Sequence, residues 1–237
     1  MDEDIRFKIA AARRILFRAG LDRDDIAGQV TARVGGEDAL WTTPLELFDE
    51  TMPDHVVKMP FGAKATANRV IEIDGEARPV TTASRWVEAI YRARRDVACV
   101  IHTHAPYIAA VASTGEPVQL YNNRSLVFVG EQAFYDDDGL RTDSPEHIVA
   151  ALGDKSVLIM RNHGAVIAAE SVEIATAQAV LLEKAALIHV LAKSIGGTAF
   201  ADDPRLIQRG VPHRANLCLV WDAHVRRLRR SDPELFA

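Results

Sequence analysis

The chain has 237 residues, 48% of them hydrophobic, and a formal net charge of −5. That length suits one α/β domain with a full core, and the acidic balance excludes a nucleic-acid partner held by whole-chain charge. The two cysteines, Cys99 and Cys218, are too few for a disulfide framework; each sits in an apolar run and reads as a buried thiol.

The N-terminus opens on acidic residues with no long apolar stretch, so no signal peptide is expected. No uninterrupted apolar run reaches the roughly 18 residues of a membrane span, and the expectation is a cytoplasmic protein with no membrane partner. Residues 5–19 predict a helix with Ile9, Ala12, Ile15, Leu16 and Ala19 on one face, ended by Gly20. Residues 28–34 alternate and predict a strand turned by Gly35-Gly36; 39–43 follow as a second strand stopped by Pro44, and 55–59 as a third. Residues 69–73, with Asp74-Gly75 after them, signal a hairpin.

Residues 82–94 predict a helix with Trp86, Ala89, Ile90 and Ala93 inward. Residues 97–103 form a nearly continuous apolar strand, and Pro106 suits the first turn of the next helix. Residues 126–129 are a strand candidate, and Ser144-Pro145-Glu146 opens a helix that ends near Gly153. Strands are expected at 156–161 and 166–168, and the longest helical pattern covers 171–195, ended by Gly196-Gly197. The rest begins as a polar loop and closes with a helix over 215–230, whose basic end suits the helix dipole. With no repeat and no linker, the expectation is a single domain over 1–237, helices layered around a mixed sheet.

The chemical signal is His102-Thr103-His104. Residues two apart on a strand point to one side, so two imidazoles at the end of an apolar strand can close on one metal ion. His163 also lies just past an apolar strand, and Gly164 after it frees the backbone to turn away. Three histidines and an open position make a catalytic type of metal site rather than a closed structural one. Taken singly, the His-x-His pair and the Asn162-His163-Gly164 turn also fit an ordinary core pair and an ordinary loop. His189 on the long helix reads as a satisfied core or interface histidine, and Glu183 on the same helix as a partner for an arginine. His55, His147, His213 and His224 have no partner spacing and read as surface residues. The basic run 226–230 reads as a packing tail.

These stretches resemble the class II aldolase/adducin family, which includes fuculose-phosphate aldolase, rhamnulose-phosphate aldolase and ribulose-phosphate 4-epimerase. The likeness runs through Gly28-Gln29-Val30-Thr31-Ala32-Arg33, Thr43-Pro44, Ile90 to Val97, Val100-Ile101-His102-Thr103-His104 and Leu158 to Gly164, in matching order and spacing. It implies a three-layer α/β/α sandwich around a central, mainly antiparallel sheet, and a homotetramer with active sites at subunit interfaces. It also implies one divalent metal ion on His102, His104 and His163, with zinc the first choice and manganese or another divalent ion the alternative. In such members the metal binds carbonyl and hydroxyl oxygens of a small-molecule substrate and stabilises the enolate left by carbon–carbon cleavage.

The chain also departs from those relatives. The position of their catalytic glutamate falls on Ala83, and the two phosphate-binding hydroxyl positions on Thr81 and Thr82. Gln29 stands where the aldolases often have Asn, and Pro44 is followed by Leu45-Glu46 instead of a small residue and glycine. A phosphorylated sugar is therefore not expected. Glu88 should be solvated or paired with Arg92 one helical turn on. Tyr135, in an acidic turn, is a candidate proton donor, with a solvated loop as its structural reading. Arg161 is a candidate for a substrate carboxylate, with a tie inside the fold as the alternative. The leading expectation is an aldolase-type lyase for a small hydroxy-carbonyl compound. The alternatives are a metal-dependent decarboxylase of a hydroxylated aromatic or heteroaromatic acid and a non-catalytic, adducin-like binding module.

Overall fold

Apolar strands buried on both faces organise the molecule. The computed structural model describes residues 2–62, 70–73, 75–80, 84–136, 144–201 and 203–237. Strands β1 (Gln29–Arg33), β2 (Ala39–Thr42), β3 (Val57–Pro60), β6 (Cys99–Thr103), β7 (Gln132–Tyr135), β8 (Val157–Met160) and β9 (Gly164–Ala169) form one seven-stranded sheet. Its order is β3-β2-β1-β6-β9-β8-β7, and every pairing is antiparallel except β7 with β8. Strands β4 (Val70–Ile73) and β5 (Glu76–Pro79) form a separate hairpin, as the turn signal at 74–75 predicts.

Side chains two apart on a strand share a face, and the core divides on that rule. Val100, Leu158 and Val166 pack with Trp86, Ile90 and Ile148 under α2 (Ser84–Ala93) and α4 (Pro145–Leu152). Their chain neighbours Ile101, Ile159 and Ile167 pack on the other face with Ile9, Ile108 and Ala179. That face is covered by α1 (Asp2–Ala19), α3 (Pro106–Ala112), α5 (Val172–Ser194) and α7 (Leu217–Ser231). The result is the three-layer α/β/α sandwich with a mainly antiparallel sheet. Helix α5 is long and apolar enough to cross a membrane by length and composition, but most of its apolar residues lie in this core, against β6, β9, α1, α3 and α7.

Several expectations are corrected. Residues 126–129 are not a strand: a 3-10 helix covers Asn123–Phe128, because the Asn122 side chain accepts from Ser125 N and starts a tight turn. The neighbouring strand is β7, so Tyr135 stands at a strand end instead of inside an acidic turn. The polar loop contains a helix, α6 (Arg205–Ala215), hidden in the sequence by Gly210 and an internal Pro212. Gly210 is required there, since a Cβ would meet the Leu126 carbonyl oxygen at 2.5 Å. Cys99 is buried as expected, but Cys218 is exposed near the start of α7. His55 is buried, not superficial, with Nδ1 2.9 Å from Glu46 Oε2. Glu88 does pair with Arg92.

Candidate metal centre

The β1–β6–β9 ladder places the site. Antiparallel pairing sets Gln29 opposite His102 on one side and Val166 opposite it on the other. His102 is buried, and its ring meets the Trp86 ring edge-on at 5.1 Å. Burial above all, then the neighbouring histidines, holds its proton affinity well below the ordinary imidazole value. The neutral ring places Nδ1 3.1 Å from the Ala165 carbonyl. A carbonyl can only accept, so Nδ1 carries the hydrogen and Nε2 keeps its lone pair.

His104 follows the strand end and is held from below. Its backbone N–H donates to Asp22 Oδ1 at 2.8 Å, and the Thr103 hydroxyl donates to Asp22 Oδ2 at 2.5 Å. Its Nδ1 lies 2.5 Å from Asp25 Oδ2. Such a carboxylate partner fixes the tautomer and aims Nε2 outward. Asp22 sits at a positive φ of 47°, and burial raises its proton affinity. It fits there because position 28 is glycine: a Cβ would come within 2.9 Å of its carboxyl carbon.

His163 arrives from the turn between β8 and β9. The left-handed residue in that turn is Asn162, with φ 55°. Gly164 serves a different need from the one expected: a Cβ would lie 2.2 Å from the Thr103 carbonyl oxygen, so only glycine lets β9 close on the His-x-His strand. The Nε2 atoms of His163 and His104 face each other at 3.1 Å, and the three ring centroids lie 4.6 to 5.0 Å apart. One nitrogen from each histidine falls within 4.8 Å of the other two.

This donor set fits a divalent ion. It is three imidazoles, one kept neutral by burial, two with Nδ1 committed to acceptors, and nitrogens converging on one point. Imidazole donors suit zinc and other first-row divalent ions, and three protein ligands leave a position open. Asp22, Asp25 and His104 form a second cluster with metal-ligand chemistry. Both carboxylates there are engaged, Asp25 also by the Ala27 N–H at 2.8 Å, so the cluster supports His104.

The other candidates divide. Gln29 is 2% exposed, and among the described residues neither its amide oxygen nor its amide nitrogen has a partner. A buried amide without partners is costly in a folded protein, and this one stands directly across from a metal-type histidine. Tyr135 ends β7 opposite Met160 of the parallel strand β8, and the backbone N–H of Arg161, just past β8, donates to the Tyr135 carbonyl at 2.9 Å. The Arg161 guanidinium is partly exposed and bonded to Asp136 at 2.8 Å. Thr81, Thr82 and Ala83 lie outside the described residues. The backbone N–H of Leu45 is taken by the Pro79 carbonyl at 2.7 Å, and Glu46 beside it is buried. That loop therefore has no free Leu45 amide for an incoming anion. His189 is buried and accepts from Gln119 N. Glu183 meets no arginine among the described residues; it accepts the Tyr107 and Ile108 N–H groups at the start of α3.

Sequence reasoning missed Asp22 and Asp25. They follow Gly20 closely, but nothing in the spacing ties them to a histidine 79 residues further on.

Residues 7–190 match the family described as the Class II Aldolase and Adducin N-terminal domain. The L-fuculose 1-phosphate aldolase structure from Glaciozyma antarctica PI12 superposes with a TM-score of 0.83 at 23% identity, over 98% of this chain and 91% of that one. A protein of Streptomyces roseochromogenus subsp. oscitans, 4-hydroxy-3-prenylphenylpyruvate oxygenase/4-hydroxy-3-prenylbenzoate synthase, is 27% identical over 81% of this chain and 69% of its own length. Decarboxylase NovR of Streptomyces niveus is 26% identical over 81% of this chain and 71% of its own.

Proposed function

We propose that this chain, which belongs to the class II aldolase and adducin family, is a divalent-metal-dependent carbon–carbon lyase acting on a small substrate without a phosphate group. The observation that carries the reading is the convergence of one nitrogen each from His102, His104 and His163 within 4.8 Å. A divalent ion on these residues, zinc as first choice and manganese as the alternative, would supply Lewis acidity toward carbonyl and hydroxyl oxygens of the substrate. The chain's own groups do the rest. Trp86 walls off His102 from water. Gln29 offers an N–H donor and a carbonyl acceptor to a substrate hydroxyl, carbonyl or carboxylate, which gives its buried amide the partners it lacks among the described residues. Arg161 orients an anionic substrate end, and the Tyr135 hydroxyl returns the proton to carbon. The assembly is a homotetramer with sites between subunits.

In aldol-type cleavage a base must first remove a hydroxyl proton. In the support cluster, Asp22 and Asp25 are already engaged by Thr103, His104 and Ala27. Loss of carbon dioxide from an ionised acid needs no such base, only an electron sink and a later proton donor. That asymmetry, with the names of the two Streptomyces relatives, favours a second reading: decarboxylation of a hydroxylated aromatic or heteroaromatic acid. The test is to incubate metal-loaded protein with a panel of aldol adducts and a panel of hydroxyaryl acids. Aldehyde release supports the first reading and carbon dioxide the second. Silence on both panels, with a His102→Ala variant indistinguishable in every binding assay, would leave the adducin-like module.

A further inference from the structure

We propose that the cleft bounded by α1, α3, α5 and α7, on the opposite face of the sheet from α2 and α4, is a separate binding site for a small multivalent anion such as a phosphate ester or a dicarboxylate. The cleft holds about 470 Å³, within the range of small-molecule sites. None of the three histidines of the metal centre lines it. Its charged wall consists of Arg18, Glu183, Lys184, His224 and Arg227.

The charge on that wall is unbalanced. Arg18 is matched, with Asp232 at 2.9 Å. Glu183 is the one acidic residue in the lining, and both its oxygens are occupied by the Tyr107 and Ile108 N–H groups at 3.0 and 2.9 Å. Lys184 and Arg227 enter no ion pair among the described residues. The two cations crowd His224 from α5 and α7: after burial, they are what holds its proton affinity below the ordinary value. Unpaired like charges across a walled cleft concentrate positive potential and attract a counter-anion. Such an anion would bridge the Lys184 ammonium and the Arg227 guanidinium with charge-assisted hydrogen bonds.

The experiment titrates metal-loaded protein calorimetrically with inorganic phosphate and, separately, with succinate. Three forms are compared: the unaltered chain, Lys184→Gln/Arg227→Gln, and His163→Ala, each checked for fold by circular dichroism. Should His163→Ala not fold, metal-stripped unaltered chain takes its place. The expected result is one site per chain for at least one probe, weakened by about tenfold or more in the double variant and retained when the metal centre is disabled. Phosphate alone binding indicates a phosphate ester, and succinate alone a dicarboxylate. Equal affinity in the double variant, loss of binding with the metal centre, or no binding of either probe overturns the proposal.

Discussion

Glu46 and His104 each sit in a cluster that joins histidine to carboxylate, and the two clusters end in opposite states. Both carboxylate oxygens of Glu46 have partners. Oε1 accepts from the Thr51 hydroxyl at 2.8 Å, while Oε2 meets His55 Nδ1 at 2.9 Å and Arg78 at 2.8 Å. Arg13, fully buried, donates to Thr51 Oγ1 and to the Glu46 carbonyl and lies 3.9 Å over the Phe48 ring. Around His104 the partners are spent on one side only. Asp22 and Asp25 hold its backbone and Nδ1, and its Nε2 faces His163 Nε2 across 3.1 Å. With Nδ1 of His104 committed to Asp25, its Nε2 keeps a lone pair that points into the gap between the two rings. A closed cluster fixes a fold, whereas an open one is arranged for a guest. The same contrast separates Thr31, whose hydroxyl is bonded to Tyr91 and Val100, from Gln29 two residues before it, whose amide has no partner among the described residues.

The largest expected effect lies in the closed cluster. Glu46→Ala leaves Arg13 without its carboxylate neighbour; burial lowers the Arg13 proton affinity only to about 10, so it stays charged at neutral pH. Arg78 loses its carboxylate partner at 2.8 Å as well, and breaking a buried charge pair from one side costs about 3–5 kcal/mol, measurable as a fall in the urea midpoint, with metal affinity of the folded protein unchanged. Gly164→Ala should damage the frame of the open cluster. Its Cβ would meet the Thr103 carbonyl at 2.2 Å, and the required backbone shift costs roughly 1–3 kcal/mol. Because β9 carries His163 to the site, metal affinity should fall as well.

Asp25→Ala sharpens the contrast from the other side. Its target is the orientation of His104, so metal affinity should drop about 10–100-fold, while the unfolding midpoint barely moves. A variant that unfolds easily yet binds metal normally would mean that Asp25 is part of a closed cluster. The smallest effect belongs to Gln29→Leu. Removing an unpartnered buried amide should leave stability unchanged or raised by less than about 1 kcal/mol, with metal affinity intact and turnover lost. A clear destabilisation would show that the amide is engaged in the resting fold.

The strands carrying the histidines were readable because they are buried on both faces. Ile101 with Ile167, and Val100 with Val166, fill opposite cores, and double burial leaves a nearly unbroken apolar run. Helix α6 was not readable, since Pro212 and Gly210 look like breakers until the chain is seen packed on the Leu126 carbonyl. The strand expected at 126–129 failed because Leu126, Val127 and Phe128 bury their side chains from a 3-10 turn as completely as a strand would. The metal-type histidines were legible from their local spacing. The carboxylates that aim His104 were not, because a long-range contact made by short loops leaves no periodicity. Nor was the burial of His55, which depends on Glu46 meeting it, while Arg78 reaches the same Glu46 oxygen from a separate segment.

The central claim is that His102, His104 and His163 form one open metal centre. The most direct measurement is elemental analysis of purified protein after zinc loading and exhaustive dialysis, run beside a folded His163→Ala variant. The expected result is about one zinc per chain in the unaltered protein and a near-complete loss in the variant, as for a catalytic site with three protein ligands. Equal zinc content in the two, or none in either, would contradict it.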